Sequence, residues 1–336
     1  LSYVTLIGGT AFAGPAGSSM GACALLGSLM VPEMTKRGYN KYLSIGPIMG
    51  VGGLAVIIPP SALTVLLATL GQTDVGDLLI AGIIPGLVLA LMYGVLIWAW
   101  THFDPTAAPQ YNAEPISRQE KLRLIVVDVL PMVAVIAFSV LIMLTGWATP
   151  TESAAVACVY AFLVTFLVYR DYKWSELPRM VHRVVKTVSM VMMLIGFSVA
   201  FGYMMTLMQI PAKITMFFLS ISDNKYVFLF LVNLLLLLLG TFMDLAPMLL
   251  ICTPIFMPVI AKLGIDPVHF GMIMILNLGI GLITPPVGPT LFVGCAVGKV
   301  TMEQVSKELW PFYGAMCMAL LLVTYVPALS LWLPGL

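Results

Sequence analysis

Charge is scarce in this sequence, and that scarcity excludes the commonest classes of protein. Only 9% of the 336 residues are charged, whereas a soluble domain carries about 25%. Because 60% of the residues are hydrophobic, too little polar surface exists to cover a soluble enzyme of this size. A bilayer crossing takes about 20 apolar residues. The composition therefore predicts an all-α integral membrane protein with room for about ten membrane segments.

Several functional signatures are also absent. Lys plus Arg, at 16, nearly balance Asp plus Glu, at 15, so no nucleic-acid partner is expected. No zinc pattern or phosphate-binding loop occurs, and an ATP-driven pump is not supported. The five cysteines form no CxxC pair and lie in apolar runs, which favours small apolar packing residues over disulfides or metal ligands. We predict no catalytic residue and no cofactor.

Glycine and proline, by contrast, are abundant, and they mark breaks in membrane helices. Two short apolar runs, 1–13 and 18–31, flank Gly14-Pro15-Ala16-Gly17 and predict a re-entrant helical hairpin. A second hairpin is predicted from runs 226–239 and 244–260. Two longer runs are broken by Pro-Pro pairs, because adjacent prolines remove two backbone donors. These runs are 43–70, broken at Pro59-Pro60, and 267–299, broken at Pro285-Pro286. The remaining predicted segments are 78–100, 122–145, 152–170, 186–208, a shorter 211–222 and a last span, 302–333.

The two unusual regions match each other at a fixed offset of 226 positions. Without a gap over some seventy residues, the offset superimposes residues that fix backbone shape: Gly14 on Gly240, Pro32 on Pro258, Gly38 on Gly264, Gly53 on Gly279, Pro59-Pro60 on Pro285-Pro286, and Thr64 on Thr290. We therefore predict an internal duplication. It divides the chain into a first repeat (1–100), connecting and scaffold spans (101–225) and a second repeat (226–336).

The crossing count predicts that the second repeat is inverted. Five full-length spans lie between the hairpins, namely 43–70, 78–100, 122–145, 152–170 and 186–208; the shorter 211–222 is not counted. An odd number of spans places the second repeat's entrance on the opposite side, a plan typical of secondary transporters. The basic residues support this count, because 13 of the 16 fall on one side. That side is predicted to be cytoplasmic, which places the C-terminus outside. The three basic residues on the other side are Lys213, Lys225 and Lys262.

The hairpin turns and breaks carry the candidate chemistry. Ser18, Ser19 and Ser61 precede half-helices and are preferred N-cap residues. A helix that starts at membrane depth points free N–H groups and a positive dipole end into the protein. Serines at matched breaks are therefore candidates for a binding site rather than for simple kinks.

Oxygen ligands are concentrated in the second repeat. Asp244, in the turn Gly240-Thr241-Phe-Met-Asp244, is the only carboxylate set within a predicted intramembrane break. It can cap the following half-helix, help to bind a cation, or do both. Thr284-Pro-Pro-Val-Gly288 supplies freed carbonyls and a hydroxyl, which suit a hard cation such as Na⁺. Asn277 is a candidate both for lining this site and for bonding a neighbouring helix.

Two further patterns concern charge and packing within the spans. No Arg or Lys lies in the middle of a predicted span, so an anionic substrate would be held by helix N-termini and hydroxyls. Gly50-x-Gly52-Gly53 is interpreted as close helix packing. The stretch from Arg179 to Lys186 is basic and amphipathic and is predicted to lie in the cytoplasmic interface before the next span, as an anchor or as a lever.

The ordered motifs resemble a known family. PAGSSMGACALLGSLMVPEMTKRGY, IIPPSALTV, IAGIIPGL, ATPTESAAV, GTFMDLAPMLLICTPIFMPV and LGIGLITPPVGPTLFV resemble the large membrane (M) subunit of tripartite ATP-independent periplasmic (TRAP) transporters, over essentially the whole chain. Members carry further N-terminal helices, and this chain opens inside an apolar stretch, so we expect helices to precede it. The resemblance implies a multi-pass protein of the bacterial inner membrane with an elevator-type fold of the ion-transporter superfamily.

The resemblance also implies function and partners. It implies sodium-coupled import of organic acids, such as dicarboxylates or sialic acid, together with a small membrane (Q) subunit and a periplasmic substrate-binding (P) protein. Sodium is expected near both hairpin tips, close to Ser18, Ser19, Thr241, Asp244 and Thr284, with substrate between the tips. The residues that match the family's site are Gly17, Ser18, Ser19, Pro59, Pro60 and Ser61 in one half, and Gly240, Thr241, Asp244, Thr284, Pro285, Pro286 and Gly288 in the other.

Three alternatives remain at this point. A single-component sodium/anion symporter of the related fold would need no partner subunit. An intramembrane enzyme would need a catalytic pair. Asp244 has no second acid within a predicted intramembrane break, because Asp128 and Glu152 lie near span ends, and no histidine lies at mid-span. A pure scaffold subunit would have no use for broken helices. The identity of the organic acid is not fixed by the sequence.

Overall fold

The computed structural model describes residues 1–16, 18–109, 117–144, 147–170, 173–221 and 224–335, and these residues form helices and connecting turns. Four helices within this part of the chain are long and apolar enough to cross a membrane, or five if one bent pair counts as a single span. The prediction of an all-α membrane protein is thus confirmed for the described residues.

The helices follow the predicted apolar runs closely. In the first part of the chain they are α1 (Ser2–Ala16), α2 (Ser19–Lys36), α3 (Lys41–Leu54), α4 (Ala62–Gly71), α5 (Val75–Ala81), α6 (Ile83–Phe103), α7 (Arg118–Leu124), α8 (Leu130–Leu144) and α9 (Pro150–Leu163). In the second part they are α10 (Leu177–Leu207), α11 (Ile210–Ile221), α12 (Lys225–Gly240), α13 (Leu245–Lys262), α14 (Pro267–Gly281), α15 (Pro289–Gly298), α16 (Met302–Glu308), α17 (Trp310–Tyr325) and α18 (Ala328–Leu331).

The chain divides into two compact units. One unit contains residues 1–111 and 205–336, and the other contains residues 112–204. Both predicted hairpins and both predicted broken helices lie in the first unit. In the second unit, α8 packs on α9, and Phe162, Phe166 and Trp174 form a cluster of aromatic rings.

Two predicted boundaries are wrong. The span predicted at 186–208 begins earlier, because α10 runs continuously from Leu177 to Leu207 and includes the basic stretch from Arg179 to Lys186, whose interfacial position stays a prediction. The last span, 302–333, is not one helix but three, and α16 and α17 meet at a bend of 57°. Pro311 stands in the first turn of α17, where its missing N–H costs no helical hydrogen bond, so it favours a helix start there.

Helices at equivalent positions have matching bounds. Adding 226 to the bounds of α2 gives 245–262, which are the bounds of α13. The same offset carries α3 onto α14 to within one residue. Gly38 and Gly264, which end equivalent helices, both have a positive φ, of 77° and 64°. In both predicted repeats the Pro-Pro pair lies between two half-helices, as its missing donors require.

Glycines allow the broken helices to pack closely in the core. All residues of α14 from His269 to Gly281 are buried. A Cβ placed on Gly50 would lie 2.9 Å from the ring of Tyr93, which confirms the packing interpretation of the Gly50-x-Gly52-Gly53 motif. Gly53 of α3 and Gly279 of α14, which are equivalent positions, face one another, with a Cβ on Gly279 lying 3.7 Å from the Gly53 carbonyl oxygen.

Candidate functional site at the second helix break

The second predicted hairpin tip lies against the second helix break. The Val287 N–H donates to the Thr241 carbonyl over 3.2 Å, which joins the tip to the break. The two backbones approach so closely that a Cβ on Gly281 would lie 2.7 Å from the carbonyl carbon and oxygen of Gly240. Gly240, Thr241 and the 284–288 break, predicted as parts of one site, are therefore brought together.

The first hairpin reaches the same break from another direction. The hydroxyls of Ser19 and Thr290 lie 2.7 Å apart in a buried hydrogen bond. Ser19 is the first residue of α2, and Thr290 is the second residue of α15, so the N-termini of these two helices meet. Gly52 of α3 closes over the pair, since a Cβ there would lie 2.9 Å from the Thr290 methyl group.

The site predictions omitted Thr290 and Gly52. The offset of 226 superimposes Thr64 on Thr290, and this match of two hydroxyls at equivalent positions was the available signal. Gly52 carried no signal beyond packing, because its closeness to Ser19 and Thr290 depends on tertiary structure.

Polar side chains cap the half-helices. Ser18 Oγ accepts from the Gly21 N–H over 3.2 Å, and Asp244 Oδ1 accepts from the Leu245 N–H over 2.8 Å, so two equivalent positions cap α2 and α13. Ser61 Oγ accepts from the Thr64 N–H over 3.3 Å and caps α4. The predicted capping is confirmed at these three residues. Gly288, which precedes α15, provides no side-chain cap.

The candidate oxygen ligands differ in exposure. Asp244 and Ser18 are exposed, Thr241 and Thr284 are half-buried, and Ser19 and Ser61 are buried. The Thr284 hydroxyl donates to the Ile280 carbonyl over 2.7 Å and keeps its lone pairs available. Gly17 lies outside the described residues.

The first helix break has its own local bonds. The Ser61 hydroxyl donates to the Val56 carbonyl over 2.8 Å, which satisfies a carbonyl freed by the break at Pro59-Pro60. The half-helix that follows, α4, packs on α13, while α15 packs on α2. Each hairpin's second arm thus contacts the second half-helix of the other predicted repeat.

Asn277 bonds a neighbouring helix, which is one of its two predicted roles. Its Nδ2 donates to the Asn233 carbonyl over 2.9 Å and to Asn233 Oδ1 over 2.8 Å. Asn233 in turn donates to the Thr324 hydroxyl over 2.9 Å. These buried side chains link α12, α14 and α17, so Asn277 braces the helices that carry the break.

Comparisons with known proteins agree on one family. The family model described as "Tripartite ATP-independent periplasmic transporter, DctM component" matches residues 1–329. The chain is 38% identical, over all of its length and 76% of the relative, to the Uncharacterized protein YgiK of Salmonella typhimurium. It is 37% identical, over 96% of its length and 75% of the relative, to the C4-dicarboxylate TRAP transporter large permease protein DctM of Pseudomonas aeruginosa. It is 35% identical, over 96% of its length and 50% of the relative, to the Isethionate TRAP transporter permease protein DctMQ of Oleidesulfovibrio alaskensis.

Proposed function

Since the chain belongs to the family of the DctM component of TRAP transporters, a multi-pass membrane family of transporter permeases and not of enzymes, we propose that it carries a small organic acid across the bacterial inner membrane with the sodium gradient. One observation carries this proposal: the N-termini of α2 and α15 meet at the Ser19–Thr290 hydrogen bond beside the second break.

Two meeting helix N-termini favour an anion. Their free N–H groups and positive dipole ends stabilise negative charge without a buried Lys or Arg. The α15 terminus has no side-chain cap, so no side-chain oxygen there already offsets the positive dipole end. The named substrates of two relatives, a C4-dicarboxylate and isethionate, are both small organic anions. We propose an organic acid of this size class as the substrate, bound between Ser19, Thr290 and the 284–288 break.

Sodium binds, in this proposal, where oxygen ligands surround the second hairpin tip. The free carboxylate oxygen of Asp244, the Thr241 and Thr284 hydroxyls and the backbone of Gly288 supply hard ligands near one another in sequence or in space. The tip of the first hairpin, with Gly17, Ser18 and Ser19, supplies the other proposed ion site, and Ser18 is the residue there that is equivalent to Asp244.

The sodium proposal is tested by separating charge from capping at position 244. Asparagine keeps an oxygen that caps α13 but has no negative charge. The Asp244→Asn variant should therefore have the same thermal midpoint as the unchanged chain, whereas the sodium concentration needed for half-maximal uptake into proteoliposomes should rise at least tenfold. Asp244→Ala should abolish sodium-driven uptake. Asp266→Ala is the matched control, because Asp266 also caps a helix, α14, with a carboxylate. Normal sodium dependence in both Asp244 variants would refute the site.

Two partners belong to the proposal: a small membrane subunit and a periplasmic substrate-binding protein. A single-component sodium/anion symporter needs neither. Uptake by the purified chain should require both partners to be added back, measured as labelled substrate in vesicles with sodium outside. Uptake by the chain alone would favour the single-component alternative.

The inverted arrangement of the two repeats is likewise proposed. In a cysteine-free background, single cysteines at Thr106 and Lys173 should react with an impermeant thiol reagent only from the cytoplasm, and those at Asn224 and Gly335 only from outside. Exchange of the two patterns at any site would refute the crossing count.

We propose an elevator motion in which hairpins and broken helices move as one body. Gly27 and Val297 join a hairpin arm to a half-helix, since a Cβ placed on Gly27 would lie 3.3 Å from the Val297 Cβ, near the separation of a disulfide. A Gly27→Cys/Val297→Cys disulfide should therefore spare uptake. The Tyr3 hydroxyl donates to the Gly94 carbonyl of α6 over 3.1 Å, so a thiol linker about one tyrosine long between cysteines at 3 and 94 should stop uptake until it is cleaved. Arrest by the first link instead would show that the hairpins gate separately.

A further inference from the structure

A basic face begins the long helix α10 and takes no part in the proposed transport site. Arg179, Arg183 and Lys186 are all exposed. At 100° per residue these three positions fall within an arc of about 60°, so their side chains share one face of the helix. Val181, Val184, Val185 and Val188 occupy the remaining faces.

These three cations have no acidic partner among the described residues. The ion pairs within the described ranges are Arg37–Glu33 and Lys307–Glu303. Three like charges on one helix face repel one another, so the face is complementary to a ligand that brings negative charge from outside the chain.

The length of α10 fixes the depth of the basic face. From Thr187 to Leu207 the helix contains no charged residue. These 21 residues span about 30 Å at 1.5 Å per residue, which is the thickness of a bilayer's hydrocarbon core. When that apolar part crosses the membrane, the basic face lies in the headgroup layer. Trp174, exposed and just before the helix, is the residue type enriched at that layer.

We infer that Arg179, Arg183 and Lys186 form a binding face for the phosphate headgroups of anionic phospholipids. The guanidinium groups can donate paired hydrogen bonds to phosphate oxygens, and the predicted cytoplasmic leaflet is where anionic lipids attract basic juxtamembrane residues. A protein partner is less favoured by this geometry, because the cations stand at lipid headgroup depth beside apolar residues on the same turns.

Native mass spectrometry of the purified chain, titrated with phosphatidylglycerol in detergent, tests the inference. Arg179→Gln/Arg183→Gln/Lys186→Gln should weaken phosphatidylglycerol binding at least tenfold and leave phosphatidylcholine binding unchanged. Lys213→Gln/Lys225→Gln/Lys262→Gln removes the same charge from the predicted outer side and should have no effect. Arg179→Lys/Arg183→Lys, which keeps the charge, should retain phosphatidylglycerol binding to within a few fold.

Four results would overturn the inference. They are unchanged phosphatidylglycerol binding in the triple glutamine variant, an equal loss in the outer-side variant, an equal loss of phosphatidylcholine, and displacement of the lipid by inorganic phosphate alone, which would indicate a site for free anions. If the triple variant does not fold, Arg183→Gln alone should weaken binding about fivefold, since one basic residue at an anionic surface contributes a factor of that order.

Discussion

Thr64 and Thr290 occupy equivalent positions in the two predicted repeats but bond differently. In the first repeat the Val56 carbonyl, freed by the helix break, accepts from the Ser61 hydroxyl over 2.8 Å and from the Thr64 hydroxyl over 3.4 Å. In the second repeat the equivalent Leu282 carbonyl accepts from the Thr290 N–H over 3.1 Å. The Thr290 hydroxyl is thereby released to bond Ser19 of the first hairpin.

The difference shows how one backbone plan serves two purposes. Where side-chain hydroxyls donate to the carbonyl that the break leaves free, as at Ser61, they are not available to partners elsewhere in the chain. Where the backbone satisfies it, a hydroxyl becomes available for a partner 271 residues away in the chain. The second repeat also has a buried amide pair, Asn233 and Asn277, where the first has Ile7 and Val51. At these two positions, buried side-chain amides are thus found in the second predicted repeat and apolar residues in the first.

Gly281→Ala should produce the largest effect. Residue 55, the equivalent of Gly281, is alanine and is buried in the first repeat, whereas a Cβ on Gly281 would lie 2.7 Å from the Gly240 backbone. Overpacking of this kind costs about 3 kcal/mol, so we expect a markedly lower thermal midpoint in detergent. Gly53→Ala is the control, because its Cβ would meet nothing nearer than 3.7 Å. Equal thermal midpoints for the two variants would show that the approach of Gly281 to Gly240 leaves room for a methyl group.

Asn277→Val should have the second-largest effect on the thermal midpoint. The variant installs the residue type of the equivalent Val51, but it leaves the buried side-chain oxygen of Asn233 without its donor. An unsatisfied buried group costs about 2 kcal/mol, again read as a lowered midpoint. Thr253→Val serves as the control, because the buried Thr253 hydroxyl has no hydrogen-bond partner and its removal should be neutral or stabilising. A neutral Asn277→Val would show that the amide pair does not brace the helices.

Thr290→Val and Thr64→Val test the two threonines directly. Loss of the Thr290 hydroxyl leaves the buried Ser19 hydroxyl without this partner and should cost about 1.5 kcal/mol. Loss of the Thr64 hydroxyl removes only a long second bond to Val56 and should cost about 0.5 kcal/mol. Adding Ser19→Ala to Thr290→Val should cost less than the sum of the single changes. Equal costs at 64 and 290 would contradict the proposed division of roles.

Lys307→Gln should have the smallest effect. Lys307 pairs with Glu303 over 3.0 Å one turn away, and both side chains are exposed. The equivalent residues in the first repeat, Asp77 and Ala81, form no such pair. Exposed pairs of this type contribute about 0.3 kcal/mol, so the midpoint should move by less than a degree or two, and less in high salt. A larger shift would show that the Lys307–Glu303 pair stabilises the second repeat more than an exposed ion pair is expected to.

Much of the fold follows from the sequence because backbone constraints are local. Pro59-Pro60 and Pro285-Pro286 remove donors, and both breaks lie where these pairs predict them. The start of α17 at Trp310 was missed although Pro311 marked it, because the polar residues of α16 were joined to the apolar run that follows them. The full length of α10 was missed for the opposite reason, since the change from basic to apolar residues at Lys186 is not accompanied by any helix breaker.

Less of the candidate site than of the fold could be predicted from the sequence. Capping by Ser18, Ser61 and Asp244 depends on neighbours within three residues and could be predicted. The meeting of Ser19 with Thr290, and of Gly240 with Gly281, depends on how helices distant in the chain pack. An offset of 226 indicates which residues are equivalent, but not which equivalent residues meet.

Gly53 and Gly279 are an instance in which equivalent residues do meet. A contact between a position and its own copy is the mark of a two-fold axis, as at the centre of a homodimer interface. If the repeats arose by duplication, an ancestral half-length chain would have met its partner at this glycine. Any side chain introduced there would have faced an identical side chain, so a single substitution would have enlarged both surfaces at once. On that account, fusion would have separated the two genetic positions, so that each could vary alone while the close approach of the two backbones kept the ancestral pairing in place.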